Sequence, residues 1–334
     1  MDMKKVRYIG NFPPPYGGVT RKNELIFSEL NKTLDIRRNK ISNRMVSQVV
    51  DVLALIFERN PLIIGVSASR RKSSWVTSLL YRCNRKTLNR SLYFMMGGLE
   101  ATTIAESPTK IKQYSQYRRI YVETESMRRI LLQSGVNNVS VYPNCRRRPN
   151  KTLIIRNEKK LRCVFFSNIS YLKGADIVLE VAKFLPNIEF YFYGKIDDDF
   201  NGEFNEKVKK QDNVFYRGVF KEKEEFIYQE LNKYDVLLLP TRWKTEGVPG
   251  VIVEAKISAI TAIVSDVCYN SELVCNNKEG LVVPSDNVKA IQEAIMKLDS
   301  DREWLKELKE NSLKSAERFY LDTYIDLIKK EFEV

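Results

Sequence analysis

Apolar residues in this chain come in short runs, separated by stretches where they recur every three or four positions. Residues 5–12 form a β-branched and aromatic run broken by Pro13-Pro14-Pro15-Tyr16-Gly17-Gly18, after which Leu25, Ile26, Phe27 and Leu30 share one side of a helix. Residues 61–66, 91–95, 119–122 and 139–142 read as further short buried strands, with a helix at 126–133 between the last two. The pattern predicts a second series after the polar, basic stretch 146–160: strands at 161–167, 188–193, 214–217, 236–239, 262–265 and 281–283, with helices at 174–184, 221–231, 249–259 and 287–298. The tail, 302–333, reads as helical and amphipathic, with Trp304, Leu305, Leu308, Phe319, Tyr324, Ile325 and Ile328 apolar. Strands that are apolar throughout, alternating with helices, indicate parallel sheets covered on both faces. The expected class is α/β, two doubly wound domains facing across a cleft, with ligands at the carboxyl ends of the strands. The expected division is 1–150, 151–315, and a C-terminal helix within 316–334 that packs back on the first domain.

Composition narrows the chemistry. The chain has 334 residues and no histidine, which removes His-based acid–base catalysis, Ser-His-Asp and Cys-His nucleophiles, and His-ligated zinc. The five cysteines, at 83, 145, 163, 268 and 275, include no C-x-x-C pair, so reduced thiols are expected and not a disulfide frame or zinc site. No apolar run approaches the ~20 residues of a membrane-spanning helix, and residues 1–10 read as a first strand and not a leader. A cytoplasmic protein is therefore expected.

The strongest chemical signal lies at the end of the strand 236–239. There Pro240-Thr241-Arg242-Trp243-Lys244-Thr245-Glu246-Gly247-Val248-Pro249-Gly250-Val251-Ile252-Val253-Glu254 runs from strand through a glycine-bearing loop into a helix. Glycines admit a ligand close to the backbone, and a helix N-terminus favours a diphosphate. Glu246 and Glu254 are acceptor-only carboxylates, suited to sugar and ribose hydroxyls.

In this segment the chain resembles the retaining glycosyltransferases of family 4, glycosyl transferases group 1, which have the GT-B fold and carry a Glu-x7-Glu signature here. The likeness extends to Tyr171-Leu172-Lys173-Gly174, to Tyr269-Asn270-Ser271-Glu272 and to Glu279-Gly280-Leu281, and more weakly to Gly17-Gly18, Gly97-Gly98 and Tyr142-Pro143-Asn144. The resemblance implies a donor site for a UDP- or GDP-sugar. In that site Glu246 binds the sugar, Glu254 the ribose, and Lys173 the diphosphate. Gly247, Val248, Gly250 and Val251 approach the sugar and diphosphate, and Gly194, Lys195, Val219 and Phe220 border the base. Gly17 and Gly18 approach the diphosphate or acceptor, and Gly97, Gly98 and Glu100 lie on the acceptor side. The family's arginine five residues before the lysine is replaced by Asn168, so Arg242 is the substitute cation considered. Catalysis would rest on Glu246, Lys173 and Arg242, without metal or cofactor; Asp197-Asp198-Asp199 reads as a solvent-facing turn. Plainer readings stand beside these: Gly17-Gly18 as a turn, Lys173 as an exposed residue before a helix, Glu100 as surface charge, Arg242 as a surface residue on Trp243.

Charge adds an acceptor. Of the net +13, residues 1–155 contribute +18 and the rest −5. A basic excess confined to one half points to an anionic partner. No nucleic-acid motif accompanies them. The expected partner is a lipid-linked saccharide at an anionic inner membrane face, as in capsule, O-antigen or exopolysaccharide synthesis. Arg70, Arg71, Lys72, Arg82, Arg85, Lys86 and Arg90, flanking Trp75, Val76, Leu79, Leu80 and Tyr81, are the expected peripheral docking set. A GT-B nucleotide-sugar epimerase and an inactive glycosyltransferase-like binding partner are the alternatives.

Overall fold

A computed structural model describes residues 5–14, 17–39, 45–66, 70–151, 153–221 and 224–332, with side chains for all of these except 45–50, 70–73 and 224–225. The chain divides into two compact units: residues 1–146, 245–248 and 321–334 form one, and residues 147–244 and 249–320 the other.

The first unit contains, in chain order, β1 (Lys5–Gly10), α1 (Gly18–Leu30), β2 (Asp35–Asn39), α2 (Met45–Ile56), β3 (Leu62–Gly65), α3 (Arg70–Cys83), α4 (Arg85–Leu88), β4 (Leu92–Phe94), α5 (Glu100–Ala105), α6 (Pro108–Tyr114), β5 (Arg119–Val122), α7 (Glu125–Gln133) and β6 (Val139–Val141). Its sheet is wholly parallel, in the order β2-β1-β3-β4-β5-β6. The second unit contains β7 (Arg162–Phe166), α8 (Ala175–Phe184), β8 (Glu189–Tyr193), α9 (Asn201–Lys209), β9 (Val214–Tyr216), α10 (Glu224–Leu231), β10 (Val236–Leu239), α11 (Gly250–Ile257), β11 (Thr261–Ser265), α12 (Asn270–Leu273), β12 (Leu281–Val283), α13 (Val288–Ser300) and α14 (Arg302–Ser315). Its sheet is also parallel, ordered β12-β11-β10-β7-β8-β9. The central strands are buried throughout, β3 as Leu-Ile-Ile-Gly and β10 as Val-Leu-Leu-Leu, as a sheet covered on both faces requires.

The tail is helical, as its periodicity suggests, and its last helix is a separate element. After α14 comes a 3-10 turn at Ala316–Phe319, then α15 (Asp322–Lys330). Phe319, Tyr320 and Leu321 are buried in succession, which one face of a continuous helix cannot achieve. Leu321, Ile325, Ile328 and Phe332 join the core of the first unit with Val6, Leu25, Ile26 and Tyr142. Arg37 and Arg38 lie in β2, an edge strand, where charge blocks unwanted pairing. The Arg38 guanidinium sits 3.8 Å above the Phe27 ring and pairs with Glu24 at 2.8 Å, so part of this charge is structural; Lys40 lies outside the described residues. Polar α9 escaped the periodicity because Phe204 is its one buried residue.

Candidate functional site

In the second unit, the crossovers diverge between β7 and β10, the topological switch point where doubly wound sheets take ligands. Two glycines let the loops there close up. Gly174, at φ +76°, lies against the end of β10; a Cβ would stand 2.1 Å from the Pro240 carbonyl oxygen. Gly194, at φ +145°, would place a Cβ 1.8 Å from Ser167 O. Both conformations are ones L side chains rarely adopt. The β7 and β10 loops are also tied by Arg242 N–H to Leu172 O at 2.8 Å and Thr241 Oγ1 to Leu172 O at 3.1 Å.

Arg242 is fully engaged in this junction. Its guanidinium donates to both Asp176 oxygens at 2.7 and 2.9 Å, to Tyr171 O at 2.7 Å and, through Nε, to Asp286 at 2.8 Å. Hydrogen bonds to Asp176 foremost, outweighing burial, raise its pKa further. Lys173, by contrast, sits with its ammonium 5.0 Å over the Trp243 ring, a cation–π distance. It is 8% exposed, so its reading as an exposed residue is corrected: the Gly174 turn tucks it inward. Asn168 and Lys195 are exposed, Val219 is half exposed, and Phe220 packs 5.7 Å from the Phe166 ring.

No side chain caps α11: Pro249 occupies the N-cap position, so the first amides belong to Gly250 and Val251. Such amides have no intrahelical acceptor and carry the positive end of the helix dipole. Glu254, one turn on, is buried at 4% exposure. The other end of α11 is anchored by buried Lys256, which donates to Glu279 and Ser315 Oγ, each at 2.8 Å; Arg318 reaches the same Glu279 oxygen at 3.0 Å. Burial lowers the Lys256 pKa to about 8 against the pull of Glu279. Glu279 is pushed up by its own burial, yet Lys256 and Arg318 bring it below the usual carboxylate range.

Glu246, Gly247 and Val248 belong to the first unit. Gly98 is pressed against this segment; a Cβ there would meet Glu246 O at 2.2 Å. Asn144 Nδ2 donates to Val248 O at 2.9 Å, and Arg146, 4% exposed, holds Asn144 Oδ1 at 2.9 Å. Gly97 Cα lies 3.7 Å from the Cβ position of Gly247. Gly17 and Gly18 are exposed at the start of α1, with Gly17 N–H donating to Thr20 Oγ1 at 2.9 Å. Asn23 fixes α1 at this sheet's own switch point, between β1 and β3: it donates to Asn11 O and Gly65 O at 2.8 and 2.7 Å and accepts from the Tyr8 hydroxyl at 2.9 Å. Glu100 is not surface charge. It starts α5, is 8% exposed, and accepts from the Tyr93 hydroxyl.

Sequence reading missed a buried pair at the same end of the first sheet. Lys22 and Glu123, 3% and 7% exposed, meet at 3.0 Å. Glu123 directly follows the carboxyl end of β5, the one signal that could have marked it, whereas Lys22 lies inside α1. Asn144 stood in a quoted motif, but Arg146 had been counted among surface basic residues. In the expected docking helix α3, Val76 and Leu80 are core, Leu79 and Tyr81 half-buried, and Trp75 exposed. Arg82, Arg85, Lys86 and Arg90 are exposed, whereas the side chains of Arg70, Arg71 and Lys72 lie outside the described residues.

Over residues 149–315 the sequence matches the model of the glycosyl transferases group 1 family. Among solved structures, sucrose-phosphate synthase from Thermosynechococcus elongatus aligns with a TM-score of 0.76 at 14% identity, covering 98% of both chains. Anabaena HepE, solved in complex with UDP, aligns with a TM-score of 0.74 at 13% identity over 98% of this chain and 99% of that one. S. aureus TarM, solved with UDP among its ligands, aligns with a TM-score of 0.63 at 17% identity; 82% of this chain is covered, and it spans about half of TarM, 55%. No curated protein matches the sequence significantly. At these identities the structural likenesses establish the fold, two Rossmann-like units of the GT-B type.

Proposed function

The chain belongs to the glycosyl transferases group 1 family, and from that premise we propose that it moves a sugar from a UDP- or GDP-sugar to a lipid-linked saccharide, with retention at the anomeric carbon. The observation that carries this reading is the second unit's switch point. There the inward Lys173, the uncapped start of α11 and the buried Glu254 supply a cation, amide donors and a hydroxyl acceptor at one sheet end. These are the groups a ribose diphosphate requires. That HepE and TarM were solved with UDP favours the uridine nucleotide.

In the proposed reaction the bond between anomeric carbon and diphosphate oxygen breaks as the acceptor oxygen bonds to that carbon on the same face. The acceptor's proton passes to the leaving phosphate oxygen, so no imidazole is called for. Lys173 and the Gly250 and Val251 amides stabilise the charge that builds on the diphosphate, Glu254 holds the ribose, and Glu246 holds the sugar. Lys195, Val219 and Phe220 border the base, and Gly97, Gly98 and the Gly17-Gly18 turn lie towards the acceptor. Arg242, already committed to Asp176 and Asp286, acts through the loop it pins and not on the phosphates. The reaction as proposed is metal-independent.

Among the described residues no helix is long and apolar enough to cross a membrane. Exposed Trp75 with Arg82, Arg85, Lys86 and Arg90 favours peripheral docking on the anionic cytoplasmic face of a membrane, in polysaccharide synthesis. The test is acceptor-dependent release of nucleoside diphosphate, followed by NMR of the new bond. A product anomer matching the donor supports the reading. An inverted anomer contradicts retention, and donor turnover without acceptor would favour epimerisation.

A further inference from the structure

The buried Lys22–Glu123 pair is the strongest chemical feature outside the family signature. Glu123 directly follows β5, and Gly97 and Gly98 follow its neighbour β4, so all three stand at the carboxyl end of adjacent parallel strands. One carboxylate oxygen, Oε1, accepts from Lys22 Nζ at 3.0 Å. The other, Oε2, faces Gly247, lying 3.3 Å from where a Cβ on that residue would be. Gly247 is the neighbour of Glu246, and Gly98 abuts Glu246's carbonyl. Lys22 is the hydrogen-bond partner of this carboxylate among the described residues.

Burying two charges costs several kcal/mol each, and an apolar pair of similar volume is often at least as stable. Core packing therefore does not account for the pair. It does give the site an ionised carboxylate, fixed in orientation, with a free oxygen turned towards the glycine segment. An ionised carboxylate only accepts hydrogen bonds, and a site built around a buried acceptor discriminates strongly for ligands that bring a hydroxyl to it.

We propose that Glu123 Oε2 accepts a hydrogen bond from a hydroxyl of the transferred sugar, with Lys22 as the positioning residue that keeps the carboxylate aimed. This rests on the reading that Glu246 and Gly247 meet the donor sugar. It adds a specificity-determining residue that lies outside the span matched by the family.

The test compares the affinities of the full chain for UDP, UDP-glucose, UDP-galactose, UDP-N-acetylglucosamine, GDP and GDP-mannose by calorimetry. It uses wild type, Glu123→Gln and Glu123→Asp; the Asp variant keeps the ion pair's charges while drawing the carboxylate back by one methylene. For the nucleotide sugar that wild type binds best, both variants should lose about tenfold in affinity, the value of a charge-assisted hydrogen bond, while the matching free diphosphate binds within twofold of wild type. Sugar affinity unchanged in either folded variant overturns the proposal. So does a parallel loss for the free diphosphate, which would make the pair merely structural. If wild type binds none of the nucleotide sugars, the donor reading itself fails and this inference goes with it.

Discussion

The two units wind their parallel sheets alike but finish their switch points differently. In the second unit the loop after β7 lies against glycine backbone, Gly174 against Pro240 after β10 and Ser167 against Gly194 after β8, and the Thr241 and Arg242 side chains tie it to the β10 loop. In the first unit the corresponding place is occupied by side chains. Asn23 bonds to the ends of β1 and β3, and Lys22 and Glu123 pair beside it. A backbone-built site suits phosphate, which is common to all donors of a family. The family match ending at 149–315 follows the same division.

Substitution of the close glycines should break the second unit most severely. Gly174→Ala and Gly194→Ala each combine left-handed strain with overlap on backbone atoms, and a loss of about 3 kcal/mol or more is expected from either. Chemical denaturation read by circular dichroism checks this; a variant within 1 kcal/mol of wild type would mean the loops can part without cost. Next is Asn23→Ala in the first unit. It strips partners from Asn11 O, Gly65 O and the Tyr8 hydroxyl, at an expected ~2–3 kcal/mol. If the loss is under 1 kcal/mol, water replaces the side chain and the contrast between the units weakens.

A pH titration sharpens the picture at α11. Folding lowers the Glu279 pKa, so its contribution is complete above the unfolded carboxylate value of about 4.3 and is lost as pH falls through the folded value. Lys256 also makes stability rise with pH, but over a higher interval. Its folded pKa of about 8 is below the unfolded value near 10.4, so its charged form is disfavoured in the fold and stability gains as pH rises through that interval. Melting temperature against pH should therefore fall more gently on the acid side for Glu279→Gln than for wild type; parallel acid limbs would remove Glu279 from the account. The smallest effect is expected at Gly18→Ala, where a Cβ meets nothing within 4 Å at the first position of α1. Stability should stay level or rise by up to about 1 kcal/mol. A fall in sugar transfer without a fall in stability would mark this turn as part of the substrate site.

What the sequence disclosed divides along the same line. Strand order alternation, both sheets and the 240–254 segment were legible because each is local: period, glycines and carboxylates sit within a few turns of one another. Lys22 and Glu123 were not, since they meet across 101 positions of sequence and each alone looks like a solvated charge; Arg146, which folds onto Asn144 and Cys145, looks like one too. Short β2 was hidden by the charges an edge strand carries.

The central claim, that the second unit's switch point holds a nucleotide diphosphate, is tested most directly by calorimetric titration of UDP and GDP into wild type and Lys173→Ala. The account predicts that wild type binds one of them and that the variant, still folded, binds it more weakly by roughly 1.5–3 kcal/mol, the value of one charge-assisted hydrogen bond. No binding to wild type, or equal affinity in the variant, would contradict it.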